Sequence, residues 1–247
     1  MTELDPRRQR LLSAMGFTPW AARGRNAGGR SPSGVLEASA AQPAGESVAD
    51  TGDGADSVTA DDWARLEADI AACTRCPLHA SRRMPVPGVG DRAARLLIVG
   101  EAPGAEEDRR GEPFVGPAGQ LLDAMLAALG LNRQQGVYIT NVIKSRPPDN
   151  RDPHVEEIAA CQPWLERQIA LIQPVVMLAL GRVAAQALTG RNERIGQLRG
   201  RWHAYGATQI PLLATYHPAY LLREPAAKAR VWADLLMLRQ VLAPVAT

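Results

Sequence analysis

Arg95-Leu96-Leu97-Ile98-Val99-Gly100-Glu101-Ala102-Pro103-Gly104 is the stretch on which the fold turns. An apolar run this short, stopped by glycine and followed by a Pro-Gly turn, reads as a strand buried on both faces. Three more runs share its character: Val137 to Asn141, Val175 to Leu180 (stopped by Gly181) and Ile210 to Thr215. Helical periodicity fills the spaces between them. Pro117 to Leu129 puts Leu121, Leu122, Met125, Leu126 and Leu129 on one face, and Val155 to Ile172 ends before Pro174. Val183 to Leu188 and Ala226 to Leu242 read as further helices, and Asp61-Asp62 as the N-cap of a helix carrying Trp63, Leu66, Ile70 and Cys73. Alternation of helices with continuously apolar strands predicts an α/β fold, a three-layer αβα sandwich around a central, mainly parallel four-stranded sheet.

Upstream the pattern stops. Residues 5–22 carry a short amphipathic stretch (Leu11, Leu12, Met15, Phe17, Trp20), read either as a frayed helix or as a peptide that binds a protein partner. From about Gly24 to Ala60 the composition shifts to Gly, Ser, Ala, Asp and Pro with no aromatic residue, which predicts a disordered linker. The expected organisation is an N-terminal extension over 1–60 and one folded domain over 61–247. A formal net charge of +2 means that any nucleic-acid surface must be local. No apolar h-region follows Arg7, Arg8 and Arg10, and no stretch nears the roughly 18 apolar residues of a span. A soluble, cytoplasmic protein with no membrane partner is expected. Three cysteines argue against a disulfide framework; Cys73-x-x-Cys76 has the spacing of a metal or redox pair, unless the thiols are incidental.

In doubly wound sheets the site lies at the carboxyl ends of the strands. The residues there are Gly100 to Gly104, Asn141 with Lys144, Gly181-Arg182 and Tyr216-His217-Pro218. Taken singly, Glu101 reads as a solvated loop acid, Asn141 as a cap and His217 as a loop histidine. Together they bring an acid, an amide and an imidazole to one rim.

From Asp62 to Leu242 the ordered motifs resemble those of the family 4, iron–sulfur type, uracil-DNA glycosylases. These are Cys73-x-x-Cys76, Gly100-Glu101-Ala102-Pro103-Gly104-x-x-Glu107-Asp108, Pro113-Phe114-Val115-Gly116 and Tyr138-Ile139-Thr140-Asn141. They continue with Arg146-Pro147-Pro148, Cys161-x-Pro163-Trp164-Leu165, Leu180-Gly181 and His217-Pro218-Ala219-Tyr220-Leu221-Leu222. The resemblance implies a repair enzyme, expected to be monomeric, that flips uracil out of single- or double-stranded DNA and hydrolyses its N-glycosidic bond to leave an abasic site. By resemblance Phe114 stacks on the base, Asn141 reads its Watson–Crick edge, and His217 donates to O2 as the base departs. Glu101 would position or activate water, and Glu107 would shape the pocket. The better-known branch has an aspartate base where this chain has Ala102, so Glu101 is read as either a base or an electrostatic stabiliser, with Ala102 lining the substrate site. Lys144, Arg146, Arg151, Arg199, Arg201 and Arg223 suit phosphate contacts. Leu221 or Leu222 would fill the gap left in the duplex, the other packing in the core.

The same resemblance implies a [4Fe–4S] cluster on four cysteines. Cys73, Cys76 and Cys161 match three of them, and Ser145 stands at the other. The expectation is a three-cysteine cluster completed by Ser145 or His154, with a labile cluster or none as the alternatives. The short segment from Lys144 to Cys161 lacks the basic insertion through which a related branch traps its product, so turnover is expected. Two other classes remain: an inactive nucleic-acid-binding or scaffold protein on the same fold, and an electron-transfer protein, which three cysteines serve poorly.

Overall fold

The structure is a computed structural model and describes residues 59–242. The amphipathic stretch at 5–22 and nearly all of the expected linker lie outside the described residues. The four expected strands are present as β2 (Leu96–Gly100), β3 (Val137–Asn141), β4 (Val176–Leu180) and β6 (Ile210–Thr215). They pair in parallel, with Gly100 opposite Asn141, Ile98 opposite Leu178, and Leu180 opposite Thr215. The sheet is wider than the expected four strands. Short antiparallel strands β1 (Val89–Gly90) and β5 (Trp202–Tyr205) close its two edges, giving the order β1-β3-β2-β4-β6-β5.

Side-chain alternation divides the core into two layers. Leu97, Val99, Met177, Ala179, Leu212 and Ala214 face α1 (Ala60–Ala71), α4 (Val155–Ile172) and α5 (Arg182–Thr189). Leu96, Ile98, Ile139, Leu178, Leu180 and Leu213 face α3 (Pro117–Leu129) and the C-terminal helix α8 (Lys228–Leu242), with α2 (Ala105–Arg110), α6 (Ile195–Leu198) and α7 (Pro218–Arg223) as short connectors. The three-layer sandwich is as expected. Helix α1 begins two residues earlier than expected: Thr59 is its N-cap and Asp62, rather than a cap itself, closes the capping box by accepting from the Thr59 amide at 3.0 Å.

From β2 the chain moves to β3 on one side and then to β4 on the other. Strand order therefore reverses beside β2, and a crevice opens at the carboxyl ends there. No helix among the described residues is long and apolar enough to cross a membrane.

Candidate active site

The crevice is a cavity of about 480 Å³ walled by Glu101, Ala102, Pro103 and Gly104 after β2, Phe114, Asn141 at the end of β3, Asp152, and His217 after β6. The acid, amide and imidazole expected at separate strand ends thus share one wall. Gly181 explains how His217 reaches across the intervening strand β4. A Cβ on Gly181 would stand 3.1 Å from that of His217, and its φ of +90° is one that glycine adopts without strain.

Gly100 has the same function beneath the amide. A Cβ there would lie 2.4 Å from Asn141 Oδ1 and 2.6 Å from Phe114 Cζ, closer than any stable contact. Gly100→Ala is therefore expected to lower stability by about 1–3 kcal/mol through overpacking, read by guanidinium denaturation. Phe114 itself has a left-handed φ of 55°. That conformation is held by Arg133, whose guanidinium donates to the Phe114 carbonyl at 2.9 Å, and by Gly119, where any Cβ would strike that carbonyl. Glu107 completes the frame: its carboxylate accepts from the amides of Gly104, Val115 and Gly116 at 2.9–3.1 Å, lashing the Gly100–Gly104 turn to the Phe114 loop. These three bonds tie two walls of the cleft together.

Asn141 is 2% exposed, and its Oδ1 is the only buried side-chain nitrogen or oxygen among the described residues without a hydrogen-bond partner. An unsatisfied acceptor of this kind costs about 1–3 kcal/mol and is kept where a ligand completes it. His217 is arranged to donate. Its Nδ1 accepts from the Ala219 amide at 3.1 Å, so the proton of the neutral ring sits on Nε2. Burial pushes its pKa down to about 4, Arg223 reinforcing the shift and Glu107 opposing it. The Phe114 and His217 rings are stacked, with centroids 5.5 Å apart. Burial also pushes Glu101 up, to about 7; neighbouring Asp152 adds to the rise and Arg182 resists it. Asp152 is itself paired with Arg182. Sequence reasoning missed Asp152, which sits in a polar loop with no local signal that it stands beside Glu101.

Several expected DNA contacts are corrected. Lys144 is 1% exposed, with its ammonium bonded inside the protein, so it offers nothing to a phosphate. Arg199 is turned inward onto buried Asp234, donating from Nε at 3.0 Å, and onto the Arg230 carbonyl. Leu221 is fully buried in the core, and Leu222 is the exposed member of the pair. Arg223 lines the cleft as expected. Arg146 stands nearby with its Nε on Asn150 Oδ1; Arg151 is taken by Glu157 and Arg201 by Glu193.

A second, small cavity is lined by Cys73, Cys76, Cys161 and Ser145 together, with Arg82, Lys144 and Trp164. His154 is not among its walls and is exposed at the start of α4. The indole Nε1 of Trp164 donates to Cys73 Sγ and the Lys144 amide to Cys161 Sγ, each at 3.3 Å, while Arg82 Nη1 donates to Ser145 Oγ at 3.0 Å. Donors aimed at sulfur suit thiolates. Among the described residues no three His, Cys, Asp or Glu side chains are grouped closely enough to hold a single metal ion. Three soft ligands lining one cavity are the donor type an iron–sulfur cluster takes, whereas the Ser145 oxygen is a harder ligand than a thiolate.

The model of the uracil DNA glycosylase superfamily matches residues 87–236, which gives the class of protein that this crevice and sheet define. A type-4 uracil-DNA glycosylase of Pyrobaculum aerophilum is 45% identical over 182 residues, covering 71% of this chain and 92% of the relative. Those of Archaeoglobus fulgidus and Thermotoga maritima are 45% and 46% identical, over 64% and 62% of this chain and 81% and 80% of their own. The chain belongs to the type-4 uracil-DNA glycosylases.

Proposed function

We propose that the chain removes uracil from DNA by hydrolysing the N-glycosidic bond. The observation that carries the reading is the orphaned Asn141 Oδ1 in the wall of the cleft. A flipped uracil offers N3–H to that oxygen and O4 to the adjacent Nδ2, whereas cytosine presents the opposite polarity. Phe114 covers the ring, and His217 Nε2–H points its donor at O2. Water adds to C1′, the C1′–N1 electron pair leaves with the base, and the charge that appears on O2 is met by the neutral imidazole. Glu101, as carboxylate, takes the water proton and faces the positive sugar. Arg223 and Arg146 serve the phosphates, with Leu222 exposed next to Arg223 in the chain. The enzyme acts in the cytoplasm as a monomer.

Cys73, Cys76 and Cys161 would hold an iron–sulfur cluster, with Ser145 Oγ at the fourth corner. Such a group supplies a cross-link between the chain after α1 and helix α4, and no step of base removal passes through it. An inactive scaffold on the same fold draws no support from an amide whose buried oxygen is left unsatisfied in the wall of the cleft.

Incubating the protein with single- and double-stranded oligonucleotides carrying one uracil, then cleaving with alkali, tests the reading. Strand scission at the uracil is expected; none, where a control glycosylase cuts, would sink it. Glu101 also sets a pH dependence. Its carboxylate is lost as pH falls through about 7, so kcat/KM should rise with unit slope to about pH 7 and then level. Glu101→Gln should lower the plateau and erase the inflection; an inflection that persists would assign it to another group.

A further inference from the structure

Lys144 is the largest fully buried side chain among the described residues, and none of the groups bonded to it is charged. Its three ammonium protons meet three acceptors, each at 2.7 Å: Thr140 Oγ1, the Asn141 carbonyl and Gln168 Oε1. Packing alone does not account for it. A methionine would fill much of the same space without desolvating a charge, and such replacements are often neutral or stabilising. What the lysine adds is direction. Its side chain folds back along the chain to grip the peptide that follows Asn141. Its acceptors Thr140 and Gln168 are anchored in turn, both donating to the Pro87 carbonyl, at 2.7 and 2.8 Å. Its own backbone is fixed as well, the amide on Cys161 Sγ at 3.3 Å and the carbonyl accepting from Val86 at 2.9 Å.

Asn141 needs this grip because nothing in the protein holds its Oδ1. Gly100 and Phe114 limit where the carboxamide goes, but its orientation is inherited from its backbone. We propose that Lys144 is a positioning residue for base recognition: by clamping the Asn141 carbonyl it aims the unsatisfied carboxamide into the cleft. The inference rests on the reading of Asn141 as the base-reading amide.

A double-mutant cycle with Asn141→Ala tests it, read both by single-turnover excision and by the affinity for free uracil. Lys144→Met should lower excision by about 10–100-fold in the parent and by less than about 2-fold where Asn141 is already alanine. Free-uracil affinity should fall by a similar factor in the first background and hold in the second. Equal losses in both backgrounds, or no loss in the parent, would overturn the proposal, because a merely structural lysine acts without regard to residue 141. Should Lys144→Met fail to fold, Thr140→Val removes a single acceptor and should show the same dependence at about 3-fold. A parent protein that neither excises nor binds uracil would instead remove the functional reading on which the proposal stands.

Discussion

His217→Leu is expected to slow uracil excision by about 10²–10³-fold, the usual loss when one donor to a developing negative charge is removed. The geometry leaves the ring a single orientation in which to act. Nδ1 is occupied by the Ala219 amide, and burial holds the pKa near 4, so at neutral pH the residue is an uncharged Nε2–H donor. A neutral donor gains most when charge appears on O2, which is where catalysis needs the difference between ground and transition states. The same histidine N-caps α7, so leucine also removes a cap worth about 1 kcal/mol. His217→Asn separates the two functions. Asparagine is a good N-cap residue but does not extend as far as Nε2, so stability should return while the rate stays low. Single-turnover excision beside thermal melting gives both readings. A rate for His217→Asn within about 3-fold of the parent would mean that the histidine only holds its loop.

The lesson about legibility lies in which residues carried a local signal. Strands β2, β3 and β4 are buried throughout, and such runs announce themselves. The edge strands do not. Val89–Gly90 is two residues long, and Trp202–Tyr205 alternates between exposed and half-exposed positions, so neither rises above a loop pattern. In the site, Glu101, Asn141 and His217 were legible because strand ends converge by topology alone. Lys144 and Arg199 were misplaced because a basic residue reads as solvated until its partner is known, and partners are non-local. Asp234, which captures Arg199, lies 35 residues downstream in helix α8. Lys144 had one usable hint: it follows Val142 and Ile143, an apolar pair that continues the buried strand. Asp152 had none, and its effect on Glu101 became visible only when the two loops were brought together. Ser145 shows the converse. By resemblance it stands at the odd position of an expected four-cysteine set, and it does line the cavity of the three thiols.

Asn141→Asp should have the other large effect, lowering uracil excision on the order of 10³-fold while narrowing the preference for uracil over cytosine. Donor and acceptor polarity decides the outcome. The carboxamide has one fixed donor and one fixed acceptor, and Oδ1 is already desolvated and unpaired in the folded protein. Cytosine in this cleft would turn its lone pair at N3 towards that oxygen and leave two buried groups unsatisfied, the penalty by which polar sites discriminate far better than shape does. An aspartate at 141 would be buried at the same depth, where burial favours its protonated form. Its single proton can reside on either oxygen, so the side chain presents either polarity and loses the ability to choose. If it ionises instead, it offers two acceptors, repels O4 and abolishes binding of uracil. Both outcomes reduce uracil excision; only the protonated form also lifts cytosine relative to uracil. Oligonucleotides alike except for uracil or cytosine at one position, cleaved side by side across pH 5–8, separate them, since the cytosine activity should fade as the carboxyl ionises. An unchanged uracil rate would show that Asn141 does not face the base. That result would also remove the reason for an unpaired Oδ1, which no other feature of the cleft explains.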